Sequence, residues 1–509
     1  MMTRRGALAL PFASLAFAVN TGSRDTALSL NEDNSHYFFT RAGQTYTAES
    51  VASFVDQYAG TQVRELLLSA NSMRTSFASK VWDPIWKGYD PTGADDQALF
   101  ASTAKESRES SRKWVHTAWK LHELGLDPYA LWIGRAREKK LSPWISMRMN
   151  DLHNVDDPLS YMHSTFWREH PEFRRLPWRT IDWRDRAFDF SHPQVVEYHF
   201  KLVAEYCERY DFDGLELDWM RFGFHFRPGQ EQQGNAVTRE FVRRTRALLD
   251  QWEKKRGHKI ALGARVPTRP QTAWAMGLDG ARWAAEGLVQ MLVVTPFWAS
   301  IETEIPIEEW RRLIGDKVLL AAGLELLIRP YHDYKIQMNT IETVRGAAAG
   351  FLARGADRVY LFNYMDSQTA MPDSENYGKL LRECGSLATL AGKPRRHVVT
   401  YSDTWAPGEA QGSQLPKTVR AGGWATFRVY VGPRLRDAVL RMETAESAEV
   451  RLNGAADPLV LLGEAAALIP GPVGKAKEWK VGTVEGWLVF DVRMPDGGKI
   501  EWVEVAGGS

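Results

Sequence analysis

Eight short apolar, β-branched runs recur between Leu28 and about residue 390, each separated from the next by a stretch long enough for a crossover. Parallel strands need such crossovers, usually helical, whereas antiparallel neighbours are joined by tight turns. The alternation therefore predicts an α/β chain. The runs are Leu28–Asn31, Arg64–Ser69, Pro143–Arg148, Gly214–Trp219, Lys259–Arg265, Met291–Thr295, Val318–Glu325 and Arg358–Asn363. Eight read most simply as a closed (β/α)8 TIM barrel, although counting alone leaves a doubly wound sheet open. The intervening segments carry helical periodicity: Val51, Phe54, Val55 and Tyr58 between a Thr47 cap and Gly60; Val196, Phe200, Val203 and Cys207 after Ser191-His192-Pro193; and Phe241, Thr245, Leu248 and Trp252. Residues 70–141 are too long for a simple crossover. They are expected to add structure over one end of the barrel, with Trp82, Trp86 and Trp132 as a substrate-facing wall.

A barrel domain takes about 250 residues, so 509 residues leave room for a second domain. The texture changes near residue 390, where Gly392-Lys393-Pro394-Arg395-Arg396 reads as a linker. Beyond it, alternating runs at Phe427–Val431, Ala438–Glu443, Glu449–Leu452 and Trp487–Val492 are punctuated by Asn453-Gly454 and Pro495-Asp496-Gly497-Gly498. That pattern predicts a C-terminal β-sandwich. At the other end Thr3-Arg4-Arg5, an apolar Gly6–Leu15 and Ala16-Phe17-Ala18 have the form of an export signal. The expected layout is a signal over 1–18, a barrel over 19–390 and a sandwich over 391–509, in a periplasmic or secreted protein.

A net charge of +1 argues against nucleic-acid and membrane-surface partners, which usually face a basic stripe. Twenty tryptophans are more than packing requires, and indoles commonly stack on sugar rings; about half of them are expected in the core. Of the two cysteines, Cys207 and Cys384, Cys207 falls on the apolar face of a predicted helix and suggests a buried free thiol. No Cys/His metal spacing is present, and neither a metal nor a cofactor is expected.

In a parallel barrel the chemistry gathers where strands end. Here those positions are unusually charged: Asn31-Glu32-Asp33-Asn34, Arg148-Met149-Asn150-Asp151-Leu152-His153, Asp213 through Arg221, Glu325 and Asn363-Tyr364. Charges are costly there unless they pair or meet a ligand. On the fourth run, alternation points Glu216 and Asp218 into the barrel and Leu215, Leu217 and Trp219 toward the helices. An interior ion pair is the simpler reading of Glu216. Arg148 and Arg221 end adjacent strands and could grip one carboxylate through paired hydrogen bonds; equally, each could neutralise Asp218, Glu216 or Asp151.

Taken together, Asn31-Glu32-Asp33, the Arg148–His153 run and Asp218-Trp219-Met220-Arg221 resemble glycoside hydrolase family 156, the inverting exo-sialidases. The resemblance spans the barrel and the trailing sandwich. It implies hydrolysis of terminal sialic acid from a sialylated oligosaccharide or glycoconjugate, with His153 as Brønsted acid, Asp33 as Brønsted base, and Arg148 and Arg221 on the sugar carboxylate. By the same resemblance Asn363 contacts the N-acetyl arm, Asp218 and Asn31 border the substrate, and the protein is a homodimer. The chemistry is consistent: a carboxylic acid beside a sialoside's leaving oxygen would meet a like charge. A protonated histidine is instead stabilised by that anion. Two other readings stand beside this one. One is a barrel hydrolase with Asp218 as nucleophile and Glu325 as proton donor, retaining configuration; the other is an exported glycan-binding protein without catalysis.

Overall fold

The computed structural model describes residues 24–179, 181–366 and 374–508, so the expected export signal over 1–18 lies outside the described residues. Eight strands form a closed barrel: β1 (Ala27–Glu32), β2 (Val63–Ser69), β3 (Ser142–Arg148), β4 (Gly214–Asp218), β5 (Ala261–Pro267), β6 (Met291–Thr295), β7 (Leu319–Leu324) and β8 (Arg358–Phe362). Because β1 pairs in parallel with both β2 and β8, the sheet has no edge, which excludes the doubly wound alternative. All eight strands fall within two residues of the expected runs.

Closure requires an interior filled by side chains. Its apolar part is a small cluster of Leu67, Trp144, Met291, Val293, Ala321, Tyr360 and Phe362. Trp144 explains two glycines of neighbouring strands: a Cβ on Gly214 would lie 2.2 Å from the Trp144 ring, and one on Gly263 would lie 2.8 Å from it. On β4 the expected alternation holds. Leu215, Leu217 and Trp219 join the core between strands and helices, while Glu216 accepts from Ser146 Oγ (2.7 Å) and Tyr360 Oη (2.8 Å) inside the barrel. Its partners are hydroxyls, so the expected ion pair of Glu216 is corrected: among the described residues it forms none.

The helices that cover the barrel include α1 (Lys105–Glu123), α2 (Pro128–Glu138), α3 (Pro193–Arg209) and α4 (Gly234–Arg256). Their buried faces differ in phase from the expectation at two points. On α3 the core side is Val195, His199, Leu202, Val203, Tyr206 and Cys207, leaving Val196 and Phe200 half-buried; on α4 Leu249 is buried in place of Leu248. The segment over 70–141 does carry extra structure, α1 and α2, but two of its tryptophans are not a substrate wall. Trp82 is buried, stacked on Tyr198 at 4.6 Å, and Trp132 is buried among Tyr37, Phe54 and Tyr129, donating to Val51 O. Trp86 is half-buried and stacks on His122. Of the twenty tryptophans ten are buried, so half of the aromatic excess is core.

The C-terminal strands are β9 (Arg395–Val398), β10 (Lys417–Val419), β11 (Gly423–Tyr430), β12 (Leu435–Glu443), β13 (Glu449–Leu452), β14 (Leu461–Glu464), β15 (Ala476–Val484), β16 (Trp487–Met494), β17 (Gly498–Ile500) and β18 (Trp502–Gly507). They form a five-stranded sheet in the order β9-β18-β12-β15-β14, a three-stranded sheet β11-β16-β13 and a β10-β17 pair, all antiparallel. Phe427, Val429, Leu440, Met442, Phe490 and Val492 build one core between the sheets, as in a β-sandwich. The expected linker is corrected at its end: Arg395 and Arg396 are buried in β9, where Arg396 pairs with the buried Glu504 at 2.6 Å. Among the described residues no helix is long and apolar enough to cross a membrane.

Candidate active site

Five charged side chains expected from the sequence meet at the C-terminal mouth of the barrel in one hydrogen-bonded chain. Asp33 follows β1, and an Asx-type turn fixes it: its Oδ1 accepts from the Ser35 backbone N–H at 2.9 Å. Its Oδ2 accepts from Arg148 Nη2. Arg148 is the last residue of β3, and Asn71 holds its backbone on both sides, donating to its O (3.0 Å) and accepting from its N–H (3.2 Å). Arg148 Nη1 then donates to Asp151 Oδ2 at 3.2 Å. Asp151 Oδ1 receives both the backbone N–H (3.0 Å) and Nδ1 (2.8 Å) of His153. A carboxylate with a strongly depressed pKa only accepts, so the His153 proton sits on Nδ1.

Arg221 completes the chain from beyond β4, donating from Nη2 to His153 Nε2 at 2.8 Å. A guanidinium has no acceptor, so Nε2 presents its lone pair. Arg148 is thus shared between two carboxylates, whereas Arg221 forms no ion pair among the described residues, and its buried Nε has no hydrogen-bond partner. The guanidinium lies over the rings of Phe222 (5.2 Å) and Phe362 (5.6 Å). Burial, then the like charge of Arg148, push the Arg221 pKa down. Asp33 moves the other way: burial would raise it, but Arg148 and the Ser35 hydrogen bonds hold it at about 2. Asp151 is likewise held low against burial, by His153 and Arg148.

Beneath this chain lies a second, fully buried charge cluster. Asp218, expected to border the substrate, has no exposed surface; Oδ1 accepts the backbone N–H groups of Met220 (3.0 Å) and Arg221 (2.9 Å), and Oδ2 accepts from Arg265 Nη1 (2.8 Å). Its contact with the Arg221 backbone N–H fixes the start of the segment that carries that guanidinium. Arg265, in the interior of β5, escaped the sequence reading. It also donates to Glu325 Oε1 at 3.3 Å and lies over Phe362 at 3.9 Å. Burial pushes Glu325 up to about 8 despite Arg265, and burial with the nearby Asp218 pushes Glu216 up as well. Both therefore hold their protons to a higher pH than an ordinary carboxyl. Asn31, also expected at the substrate, is buried with Nδ2 unpartnered. Asn363 is half-buried just past β8, with a left-handed φ of 61°.

Outward from the charges opens a cleft of about 390 Å³ whose lining includes His153, Arg221, Trp183, Phe222, Phe297 and Trp298. His153 is the accessible member, 32% exposed, against 13% for Asp33 and 3% for Arg148. Phe222 meets the His153 ring edge-on at 5.2 Å, and Trp183 contacts Phe222 and Phe297. These aromatics were missed because they come from loops after β3, β4 and β6, far apart in sequence. Their loop is pinned from the sandwich side: Asp403 accepts the backbone N–H groups of Phe297 (2.8 Å), Trp298 (2.7 Å) and Ala299 (2.7 Å). Among the described residues no group of three or more His, Cys, Asp or Glu is placed to hold a metal ion.

No family model matches the chain, and no curated protein does either. Solved structures similar to it include alpha-L-fucosidase isoenzyme 1 from Paenibacillus thiaminolyticus, 12% identical over 91% of this chain and 89% of that one, with a TM-score of 0.35. Others are the catalytic domain of GH30 xylanase C from Talaromyces cellulolyticus (9% identical, 92% and 96%, TM-score 0.33) and a family GH18 chitinase from Chromobacterium violaceum (8%, 93% and 89%, TM-score 0.36). At such scores these likenesses carry no weight for fold or chemistry, which rest on the chain's own geometry.

Proposed function

We propose that the chain is a glycoside hydrolase that removes a terminal sialic acid with inversion of configuration, His153 acting as acid and Asp33 as base. The observation that carries the proposal is Arg221, a half-buried guanidinium lining the cleft that forms no salt bridge among the described residues and borrows the imidazole of His153 instead. Such a cation favours an anionic ligand, and a carboxylate matches its paired donors.

The network also suggests how the substrate would arm the acid and base. With Arg221 donating to Nε2, His153 is poised to accept a proton rather than to give one. A sugar carboxylate taken up by Arg221 frees Nε2 and supplies a neighbouring negative charge, so the imidazole can carry a second proton while Asp151 holds Nδ1–H. Asp33 is a feeble base while Arg148 is wholly committed to it and Asp151. Sharing Arg148 with the substrate loosens that hold and raises the carboxylate's basicity. His153 then protonates the leaving oxygen as the anomeric bond breaks, and Asp33 takes a proton from the water attacking the opposite face. The retaining alternative fares worse, because both oxygens of Asp218 are engaged within the protein.

The test is proton NMR of a fluorogenic sialoside incubated with the purified chain. The expected first product is the anomer opposite to that of the substrate, and His153→Ala or Asp33→Ala should lower kcat by more than about a hundredfold. A retained anomer, or full activity in either variant, overturns the proposal.

A further inference from the structure

The cleft is lopsided with respect to the acid and base proposed above. His153 lines it, whereas among the described residues Asp33 and Arg148 do not. Those two are 13% and 3% exposed, against 32% for His153. In a single displacement the water arrives on the face of the base and the leaving group departs on the face of the acid. The subsite described next rests on that reading: with His153 as the acid, the open volume beyond it receives the leaving group.

The wall of that volume is aromatic. Phe222 and Phe297 pack on each other at 5.5 Å, and Trp183 stacks against Phe297 at 6.4 Å, so these three rings brace one another. Trp298 lines the same cleft and is 44% exposed, and no ring or cation among the described residues lies against its indole. Its position is nevertheless fixed, because its backbone N–H and those of Phe297 and Ala299 converge on Asp403. A fixed indole with an open face suits the apolar side of a sugar ring, whose C–H bonds meet the negative face of the π system. The charges of the wall are engaged elsewhere: Arg221 serves the sugar carboxylate on the proposed reading, and Asp156 pairs with Arg186 at 2.6 Å. A neutral leaving group therefore fits this wall better than a charged one.

We propose that Trp298 is the platform of a leaving-group subsite, on which the neutral sugar next to the cleaved bond lays its apolar face. A sialoside with a methyl leaving group fills only the catalytic end of the site, whereas sialyllactose reaches the subsite as well. Trp298→Ala should lower the ratio of kcat/KM for sialyllactose to kcat/KM for the methyl sialoside about fivefold or more, and Trp298→Phe, which keeps an aromatic face, should restore most of it. The ratio does not depend on how much of a variant folds. A ratio that Trp298→Ala leaves unchanged overturns the proposal, whether neither substrate suffers or both suffer equally, which would put Trp298 against the sialic acid itself. Failure of the hydrolytic reading shows separately, as wild-type protein that cleaves neither sialoside. The subsite is then read by saturation-transfer NMR on the full chain with methyl β-D-galactopyranoside, a neutral ring. Transfer to its ring protons that Trp298→Ala weakens about fivefold or more supports the subsite; absence of transfer, or transfer that the variant leaves intact, overturns it.

Discussion

Deleting the positive charge of Arg148 or of Arg221 should have unequal consequences for the stability of the free protein, although the two lie in one network. Arg148→Met strips the buried Asp151 and the half-buried Asp33 of their shared cation and leaves them only the hydrogen bonds from His153 and Ser35; breaking a buried pair in this way costs about 3–5 kcal/mol. Unfolding entropy is about 2.1 cal/mol/K per residue. Spread over the barrel, a loss near the middle of that range lowers the melting midpoint by about 5 °C. Arg221→Met removes a cation that forms no salt bridge among the described residues, at the expense of one hydrogen bond to His153 and the contacts on Phe222 and Phe362. Its net change should stay within about 1 kcal/mol, or roughly 1 °C. Hydrolysis should separate from stability. On the proposed reading each variant loses a charge-assisted contact to the substrate carboxylate, worth about 1.5–3 kcal/mol, so kcat/KM should fall about 10- to 150-fold in both. Differential scanning calorimetry at pH 7 with steady-state kinetics on a sialoside reads both effects. Equal losses of stability, or a larger one for Arg221→Met, would refute the assignment of Arg221 as the cation left for the ligand.

Four further perturbations probe the surroundings. Glu325 has its pKa raised from 4.5 to about 8, so its contribution is intact below about pH 4.5 and is lost as pH rises through 8; Glu325→Gln should flatten that alkaline decline, by up to about 4 kcal/mol, in melting curves between pH 5 and 9. Asp33 has the opposite sign: its stabilisation is present above its ordinary 3.8 and lost as pH falls toward 2. Gly214→Ala would set a Cβ 2.2 Å from the Trp144 ring and should destabilise the barrel by about 3 kcal/mol, read as a lower denaturant midpoint. Asp403→Ala releases three backbone N–H groups behind Phe297 and Trp298; KM should rise about three- to tenfold with kcat nearly unchanged.

The strands were legible because an apolar run flanked by polar turns is written locally, and the alternation on β4 placed Glu216, Leu217 and Asp218 on their proper sides. Clustering at strand ends brought Asp33, Arg148, His153 and Arg221 to one mouth. Burial was harder to read than position. Asp218 and Glu216 look alike in sequence to an exposed catalytic pair, yet one is consumed by Arg265 and backbone amides and the other by hydroxyls. Trp82 and Trp132 were misjudged because an indole suits a core as well as a sugar. The phase of α3 slipped by one position since Val195 and Val196 are equally apolar and only the packing selects between them. Arg265 was overlooked as one charge in an apolar strand, and Asp403 because nothing local ties residue 403 to a loop near residue 298.

That last contact bears on how the chain can be shortened. Removing the C-terminal portion to obtain a minimal catalytic fragment would take Asp403 with it, and three backbone N–H donors would then have to turn to water. The fragment would keep His153, Asp33 and both guanidiniums while the loop that lines their cleft lost its anchor. Engineering that grafts this barrel onto another module should carry the short stretch through Glu409 along with it.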